Sequence, residues 1–242
     1  MGKNIIYLTS CHSTNDIATH KVRSGLAENG EIIIADEQTA GRGLQGNRWI
    51  SRKGANLMFS LILKPENLRV ADQFRLSQCI ALGVAGFVAS VAGPGVSVKW
   101  PNDVLIGKQK VAGILIENTI RGQMIAFSVV GIGLNVNETA FDNPRTTSLS
   151  AVTGRAFDLE EQMGSLLCFL EESLAILPAG DWQVLDDRYL NQLFGLNETR
   201  EFIADGQVFS GVPSGITPEG RLIIFTGSGT RIFDIKEVSW VL

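Results

Sequence analysis

Two arginines alternate with three glycines in Gly41-Arg42-Gly43-Leu44-Gln45-Gly46-Asn47-Arg48-Trp49. Arginine carries a planar fork of donors that matches carboxylate and phosphate oxygens, and glycine lets backbone amides approach a ligand closely. The chemistry on offer is the clasping of an anion. The same spacing satisfies G-x-G-x-x-G, a dinucleotide fingerprint that needs a strand before the glycines and a helix opening on the last one. Residues 31–35 supply a strand. The stretch after Gly46, however, leads into Asn56-Leu57-Met58-Phe59-Ser60-Leu61-Ile62-Leu63-Lys64-Pro65, rich in strand formers and without a helix start signal. The loop joins two strands, so it reads as an anion clasp and not as a nucleotide turn.

Four further groups carry chemistry. Ser13-Thr14-Asn15 opens a helical stretch, and Ser13 with Asp16 has the form of a capping box. A cap uses one oxygen, which leaves donors and acceptors for a polar ligand. Lys99-Trp100-Pro101-Asn102-Asp103 suits a strand closed by a turn, and it also gathers a cation, an aromatic ring and a carboxylate. Lys110 stands just before Val111-Ala112-Gly113-Ile114-Leu115-Ile116, where a lysine fits either a snorkelling edge position or a ligand-facing one. Gly131-Ile132-Gly133-Leu134-Asn135-Val136-Asn137 is a strand whose small residues permit close approach of a ligand.

The elements that must position these groups follow from apolar periodicity and turn residues. Helices are expected at about 13–25, 71–92 and 182–193, with another opened by Asp158, Glu160 and Glu161. Strands are expected at 31–35, 56–64, 96–100, 112–117 and 126–136, with a hairpin over 104–111 that turns near Gly107. From Glu201 the texture changes to short strands at 201–204, 207–212, 221–225 and 230–234 separated by glycine-rich turns. The expectation is an α+β body over 1–194 followed by a small β unit over 195–242.

The 242 residues are 45% hydrophobic and 19% charged, as in an ordinary globular chain, and suffice for a full core. A formal charge of −4 argues against a broad grip on nucleic acid. The apolar runs are short for a membrane span, and the N-terminus shows neither a signal peptide nor, with Ile6 in place of Ser or Thr, a myristoylation site. Cys11, Cys79 and Cys168 are scattered, and His12 and His20 are the only histidines, which fits neither a zinc site nor a disulfide framework. A cytoplasmic chain without membrane association is expected.

Taken in order, Ser13-Thr14-Asn15, Gln38, the glycine loop, Lys99–Asp103, Lys110–Ile114 and Gly131–Asn137 resemble the biotin–protein ligases. The resemblance covers nearly the whole chain, because Lys236-Glu237-Val238-Ser239-Trp240 also looks like the end of that family's SH3-like domain. It implies a mixed β-sheet flanked by helices, the class II synthetase-like catalytic domain shared by biotin and lipoate ligases, with a small C-terminal SH3-like β-barrel. It implies ATP and Mg²⁺, biotin as substrate, and a biotin carboxyl carrier domain as partner. A homodimer is common in the family. Met1 stands a few residues before the first strand, so the DNA-binding helix-turn-helix of the bifunctional members, and DNA binding with it, is expected to be absent.

By the same resemblance, biotin's carboxylate attacks the α-phosphorus of ATP to form biotinyl-5′-AMP, and a carrier lysine then takes the acyl group. Two unit like charges at about 4 Å repel by roughly 4 kcal/mol at an effective dielectric near 20, so cations must offset the approach. Arg42 and Lys110 would be catalytic. Ser13, Thr14, Asn15, Gln38, Gly41, Arg42, Gly43, Lys110 and Gly113 would bind biotin. Arg42, Gly43, Leu44, Arg48, Trp49, Asn102, Lys110 and Asn135 would hold the nucleotide, and Asp103 is the candidate metal ligand. Many members read Gly-Arg-Gly-Arg-x-Gly-Arg in the loop, whereas this chain has Leu44 and Asn47 at the later arginine positions. Fewer loop cations would mean either weaker retention of the adenylate or compensation by Arg48, Arg52 or Lys53. A lipoate ligase or octanoyltransferase of the same fold, and a non-catalytic biotin-binding module, are the competing readings. Arg42→Ala and Lys110→Ala are each expected to slow biotin-dependent pyrophosphate release about a hundredfold or more with the fold intact. Near-normal release by either variant would remove that residue from the mechanism.

Overall fold

Alternating apolar residues give the main sheet two buried faces. The computed structural model of the protein describes residues 1–2 and 4–241. The chain runs β1 (Ile5–Leu8), α1 (Thr14–Arg23), β2 (Ile32–Ala35), β3 (Leu57–Leu63), α2 (Gln73–Ala92), β4 (Val96–Lys99), β5 (Asp103–Ile106), β6 (Gln109–Arg121) and β7 (Met124–Leu134). Helices α3 (Leu149–Thr153), α4 (Leu159–Leu174), α5 (Ile176–Ala179) and α6 (Trp182–Gln192) follow. Strands β8 (Arg200–Ala204), β9 (Gln207–Ile216), β10 (Leu222–Thr226), β11 (Gly229–Phe233) and β12 (Ser239–Trp240) end the chain.

The first seven strands form one sheet in the order β1-β2-β3-β7-β6-β5-β4. Only β1 and β2 run parallel, because α1 crosses over between them. Leu57, Phe59 and Leu61 of β3 face the larger core, together with Ile80, Val84 and Phe87 of α2. Ile33 and Ile62 point the other way and pack on Ala18 and Val22 of α1. The sheet is thus flanked by α1 on one face and by α2, with α4 behind it, on the other. By length and composition α2 could cross a bilayer, contrary to the reading of the apolar runs as too short. Here twelve of its residues are buried within the protein. Buried Arg75 on α2 pairs with Asp186 on α6, and its guanidinium lies 5.5 Å from the Trp182 ring.

The expected elements are present with shifted ends. Val70–Asp72 form a single 3-10 turn before α2 begins. Strand β6 runs longer than its apolar pattern and β7 is shifted two residues toward the N-terminus, because pairing carries both past the buried stretch: they make one hairpin paired from Ala112↔Leu134 to Arg121↔Met124. Strand β9 continues through Pro213, which pairs with Ile224 where the register shifts, a place that tolerates proline's missing N–H.

Strands β8–β12 form a separate antiparallel sheet in the order β11-β10-β9-β8-β12, an SH3-like unit. Its buried Phe202, Leu222, Ile224 and Phe233 are continuous with the main core. Two tryptophans stitch the seam: Trp100 Nε1 donates to the Gly220 carbonyl at 2.8 Å, and Trp240 Nε1 donates to the Trp100 carbonyl at 3.1 Å. Gly220 adopts φ +94°, and a Cβ there would run into the Phe74 ring. Gly220→Ala is therefore expected to cost about 3 kcal/mol, from left-handed strain and crowding together, read as a fall in the urea midpoint. Gly215→Ala, where the nearest atom to the new Cβ is 3.6 Å away, serves as the near-neutral control.

Candidate active site

The start of α1 is fixed by the segment that precedes the glycine loop. Gln38 Oε1 accepts the Thr14 amide at 2.7 Å and the Thr14 hydroxyl at 3.2 Å. The side chain of Ser13, at the cap position, makes no capping bond, and Asp16 turns to Arg42. The expected capping box is thus replaced by a cap from Gln38. Ser60 Oγ on β3 lies 2.7 Å from Thr14 Oγ1 and 2.5 Å from Asn15 Oδ1, while Asn15 Nδ2 donates to Glu117 Oε2 at 2.9 Å. Thr14, Asn15 and Ser60 are buried, so this is a polar floor with its hydrogen bonds largely assigned within the protein.

The glycine loop joins β2 to β3 and folds on itself. Gly43 N donates to the Asn47 carbonyl at 2.7 Å and Trp49 N to the Gly41 carbonyl at 3.0 Å. That pairing carries Trp49 over the sheet, where its ring lies on Gly133 and Gly113. A Cβ at Gly133 would collide with the indole, and one at Gly131 would collide with the Asn15 amide. Lys110 Nζ sits 5.4 Å from the centre of the Trp49 ring. Arg42 makes a bidentate pair with Glu117, at 2.6 and 3.2 Å, and reaches Asp16 at 2.7 Å. The hydrogen bond to Glu117, opposed by burial and reinforced by Asp16, raises the Arg42 pKa above its ordinary value.

Opposite lies the turn between β4 and β5. Asp103 bridges Lys99 at 3.0 Å and Lys110 at 2.6 Å. Burial pushes the Asp103 carboxyl up, yet Lys110 and Lys99 outweigh it and hold the group below the usual carboxylate value. Asn102 donates to the Ile114 carbonyl at 2.8 Å, and its own carbonyl accepts Ile114 N at 2.9 Å, which fixes β6 against the turn. Trp100 is fully buried as the seam anchor.

These groups surround one cavity of about 340 Å³, within the range of small-ligand sites. Ser13, Thr14, Asn15, Gln38, Arg42 and Gly43 line it. So do Leu44, Arg48, Trp49, Asn102, Lys110 and Gly113. Two sequence candidates are not brought to it. Gly41 lies behind Trp49, whose carbonyl would be 2.5 Å from an added Cβ. Asn135 is buried, and its amide donates to the Thr147 carbonyl, tying down the segment before α3. Arg52 and Lys53, the candidates to replace the cations absent at Leu44 and Asn47, are not among the residues that line the cavity, whereas Arg48 is. The Arg52 amide donates to Glu138, and Lys53 lies 3.6 Å from Glu37.

Asp103 is corrected as a metal candidate. It is the only acidic residue in the lining, and both oxygens face lysines. Among the described residues no three of His, Cys, Asp and Glu come together as a metal site. These residues do not fit a resident metal ion, and no step is assigned to one. The sequence reading missed Arg145, Lys236 and Ser239, which also line the cavity. The last two arrive from the β unit across the seam, in the C-terminal run that resembles the end of the family's SH3-like domain, and nothing in that run indicates its place at the cavity.

Comparison with known proteins places this geometry among relatives. The model of the biotin/lipoate A/B protein ligase family matches residues 7–135. A biotin–[acetyl-CoA-carboxylase] ligase of Paracoccus denitrificans is 30% identical over 96% of this chain and 98% of its own length. The bifunctional ligase/repressor BirA of Escherichia coli is 31% identical over 92% of this chain and 70% of its own. Among solved structures, the biotin protein ligase of Aquifex aeolicus in complex with biotin and ATP superimposes with a TM-score of 0.81 at 26% identity, covering 99% of both chains. Matched by the family's model over more than half of its length and by relatives over almost all of it, the chain belongs to the biotin/lipoate A/B protein ligase family.

Proposed function

We propose that the protein condenses biotin with ATP to biotinyl-5′-AMP and transfers the biotinyl group to a lysine of a biotin carboxyl carrier domain. The reading rests on one observation: the cavity joins a neutral polar floor, Thr14, Asn15 and Gln38, to a wall of Arg42, Lys99 and Lys110. The floor suits a neutral polar head group, and the wall suits a carboxylate meeting a phosphate. The likeness to biotin ligases along almost the whole chain supports it. The body of 1–194 and the β unit of 195–242 act together in this reading.

In the first step a biotin carboxylate oxygen bonds to the α-phosphorus. The bond from that phosphorus to the bridging oxygen breaks, and pyrophosphate leaves with the electron pair. Lys110 and Arg42 offset the charge that gathers at this junction. The incoming anion must take Arg42 from Asp16 and Glu117, so closure of the loop is coupled to substrate binding. Trp49 forms the wall beside the nucleotide, and the self-paired loop keeps water from the anhydride. In the second step the carrier lysine nitrogen attacks the acyl carbon, the bond to AMP breaks, and the amine proton passes to solvent. Positioning supplies the acceleration, with no covalent enzyme intermediate.

Incubation with biotin, ATP, Mg²⁺ and a carrier domain is expected to add the mass of one biotinyl amide to the carrier. No mass gain, together with absent biotin-dependent ATP–pyrophosphate exchange, would leave a binding module. Calorimetry separates the lipoate reading: heat with biotin is expected, and heat with lipoate alone would overturn the choice. Trp49→Ala should raise the KM for ATP about tenfold or more by removing the ring beside the nucleotide, and an unchanged KM would take Trp49 out of that role.

A further inference from the structure

One carboxylate ends the hydrogen-bond chain of the floor. Glu117 on β6 meets Arg42 with both oxygens, at 2.6 and 3.2 Å, and its Oε2 also accepts Asn15 Nδ2 at 2.9 Å. A group that accepts through both oxygens has no proton to give. It therefore decides which end of the Asn15 amide it meets. The nitrogen turns to Glu117, with the Leu115 carbonyl 3.5 Å away, and the oxygen turns to Ser60. Asn15 is buried and its amide lies against Gly131, where a Cβ would collide with it, so solvent does not compete for either end.

Counting protons carries that direction inward. Ser60 Oγ is fully buried and has one proton with two oxygens in reach, Asn15 Oδ1 at 2.5 Å and Thr14 Oγ1 at 2.7 Å. The amide oxygen has nothing to donate, so the Ser60 proton is committed to it. Two oxygens 2.7 Å apart need a proton between them, and the Thr14 hydroxyl supplies it. Gln38 Oε1, 3.2 Å from that hydroxyl, is the farther of its two acceptors and already takes the Thr14 amide at 2.7 Å. Thr14, which lines the cavity, thus meets a ligand with lone pairs.

We propose that Glu117 is a positioning residue that sets the direction of this chain, from Thr14 through Ser60 and Asn15, and so selects ligands that present an N–H to Thr14. Glu117 does not line the cavity and acts through Asn15. The inference rests on the biotin-adenylating reading above for the ligand, a cyclic urea with an N–H on each side of its carbonyl. A neutral glutamine at position 117 would reverse the chain. Its oxygen would keep the shorter bond to Arg42, its nitrogen would take the place of Oε2, and Asn15 would turn over to accept from it. Ser60 and then Thr14 would follow, and Thr14 would become a donor.

The test uses the full chain and calorimetry with biotin and with its two cyclic carbamate analogues, in which one or the other ring N–H is replaced by oxygen. The parent is expected to bind at least one analogue about tenfold or more weakly than biotin, because Thr14 then faces a second acceptor. Glu117→Gln should cut that preference to about threefold or less. Ser60→Ala, which frees the Thr14 proton to follow the ligand, should do the same, and adding Glu117→Gln to it should change nothing further. Glu117→Asp keeps an acceptor-only group and should keep most of the parent's preference. A loosened fold would weaken biotin and carbamate alike and leave the ratio unmoved. Parent-like preference in Glu117→Gln or in Ser60→Ala, or no preference in the parent, overturns the proposal, and biotin-dependent ATP–pyrophosphate exchange by that parent would leave the proposed function standing. A parent that binds none of the three ligands overturns the proposed function and this proposal with it.

Discussion

On one face of the β6–β7 hairpin, Gly113, Gly131 and Gly133 leave a shallow bay in an otherwise closely packed sheet. One residue of the cavity floor and two of its wall depend on that missing volume. The Asn15 amide fits against Gly131, the Trp49 indole lies on Gly133, and Lys110 reaches past Gly113 toward the indole. A methyl group at Gly131 or Gly133 would displace a residue of the floor or the wall and not merely crowd a core. The opposite face of the same strands carries Ile114, Val130 and Ile132 into the main core, so the backbone under the bay is rigid.

Electrostatics complete what the bay begins. A protein of net negative charge gathers cations around one hollow, and it keeps them close with carboxylates that act as internal counter-ions. Asp103 between two lysines and Glu117 against Arg42 prevent the cations from repelling one another while no substrate is bound. In the proposed function a substrate anion would exchange with these carboxylates for cations that are already gathered, which would lower the cost of assembling positive charge during reaction.

The Lys-Trp-Pro-Asn-Asp run shows how structural and chemical roles share five residues. Trp100 fills the seam with the β unit, and Asn102 locks β6. Lys99 and Asp103 face the cavity. The turn reading holds for Trp100 and Asn102, while Lys99 and Asp103 stand where the ligand reading requires them. Because its tryptophan anchors the second sheet, the motif also fixes where the end of the chain meets the site.

Apolar periodicity and turn residues determined most of this protein by themselves. The strand-to-strand setting of the glycine loop, the helix begun by Asp158, the hairpin at Gly107 and the change of texture after residue 200 follow from local patterns, because local backbone preference and burial agree there. The order of motifs was enough to gather Thr14, Gln38, Arg42, Asn102 and Lys110 at one site. Tertiary structure decided the rest. Asn135 looked like a ligand group and proved to be a buried tie, since sequence does not say which way a strand-end side chain turns. Asp103 looked like a metal ligand until two lysines, one of them seven residues further on, claimed its oxygens. Arg145 and Lys236 were not read as site residues: a backbone bond from Lys110 N to the Arg145 carbonyl brings in the first, and the docking of the second sheet brings in the other, and neither a bond across 35 residues nor side-chain packing at a seam has a local period to read.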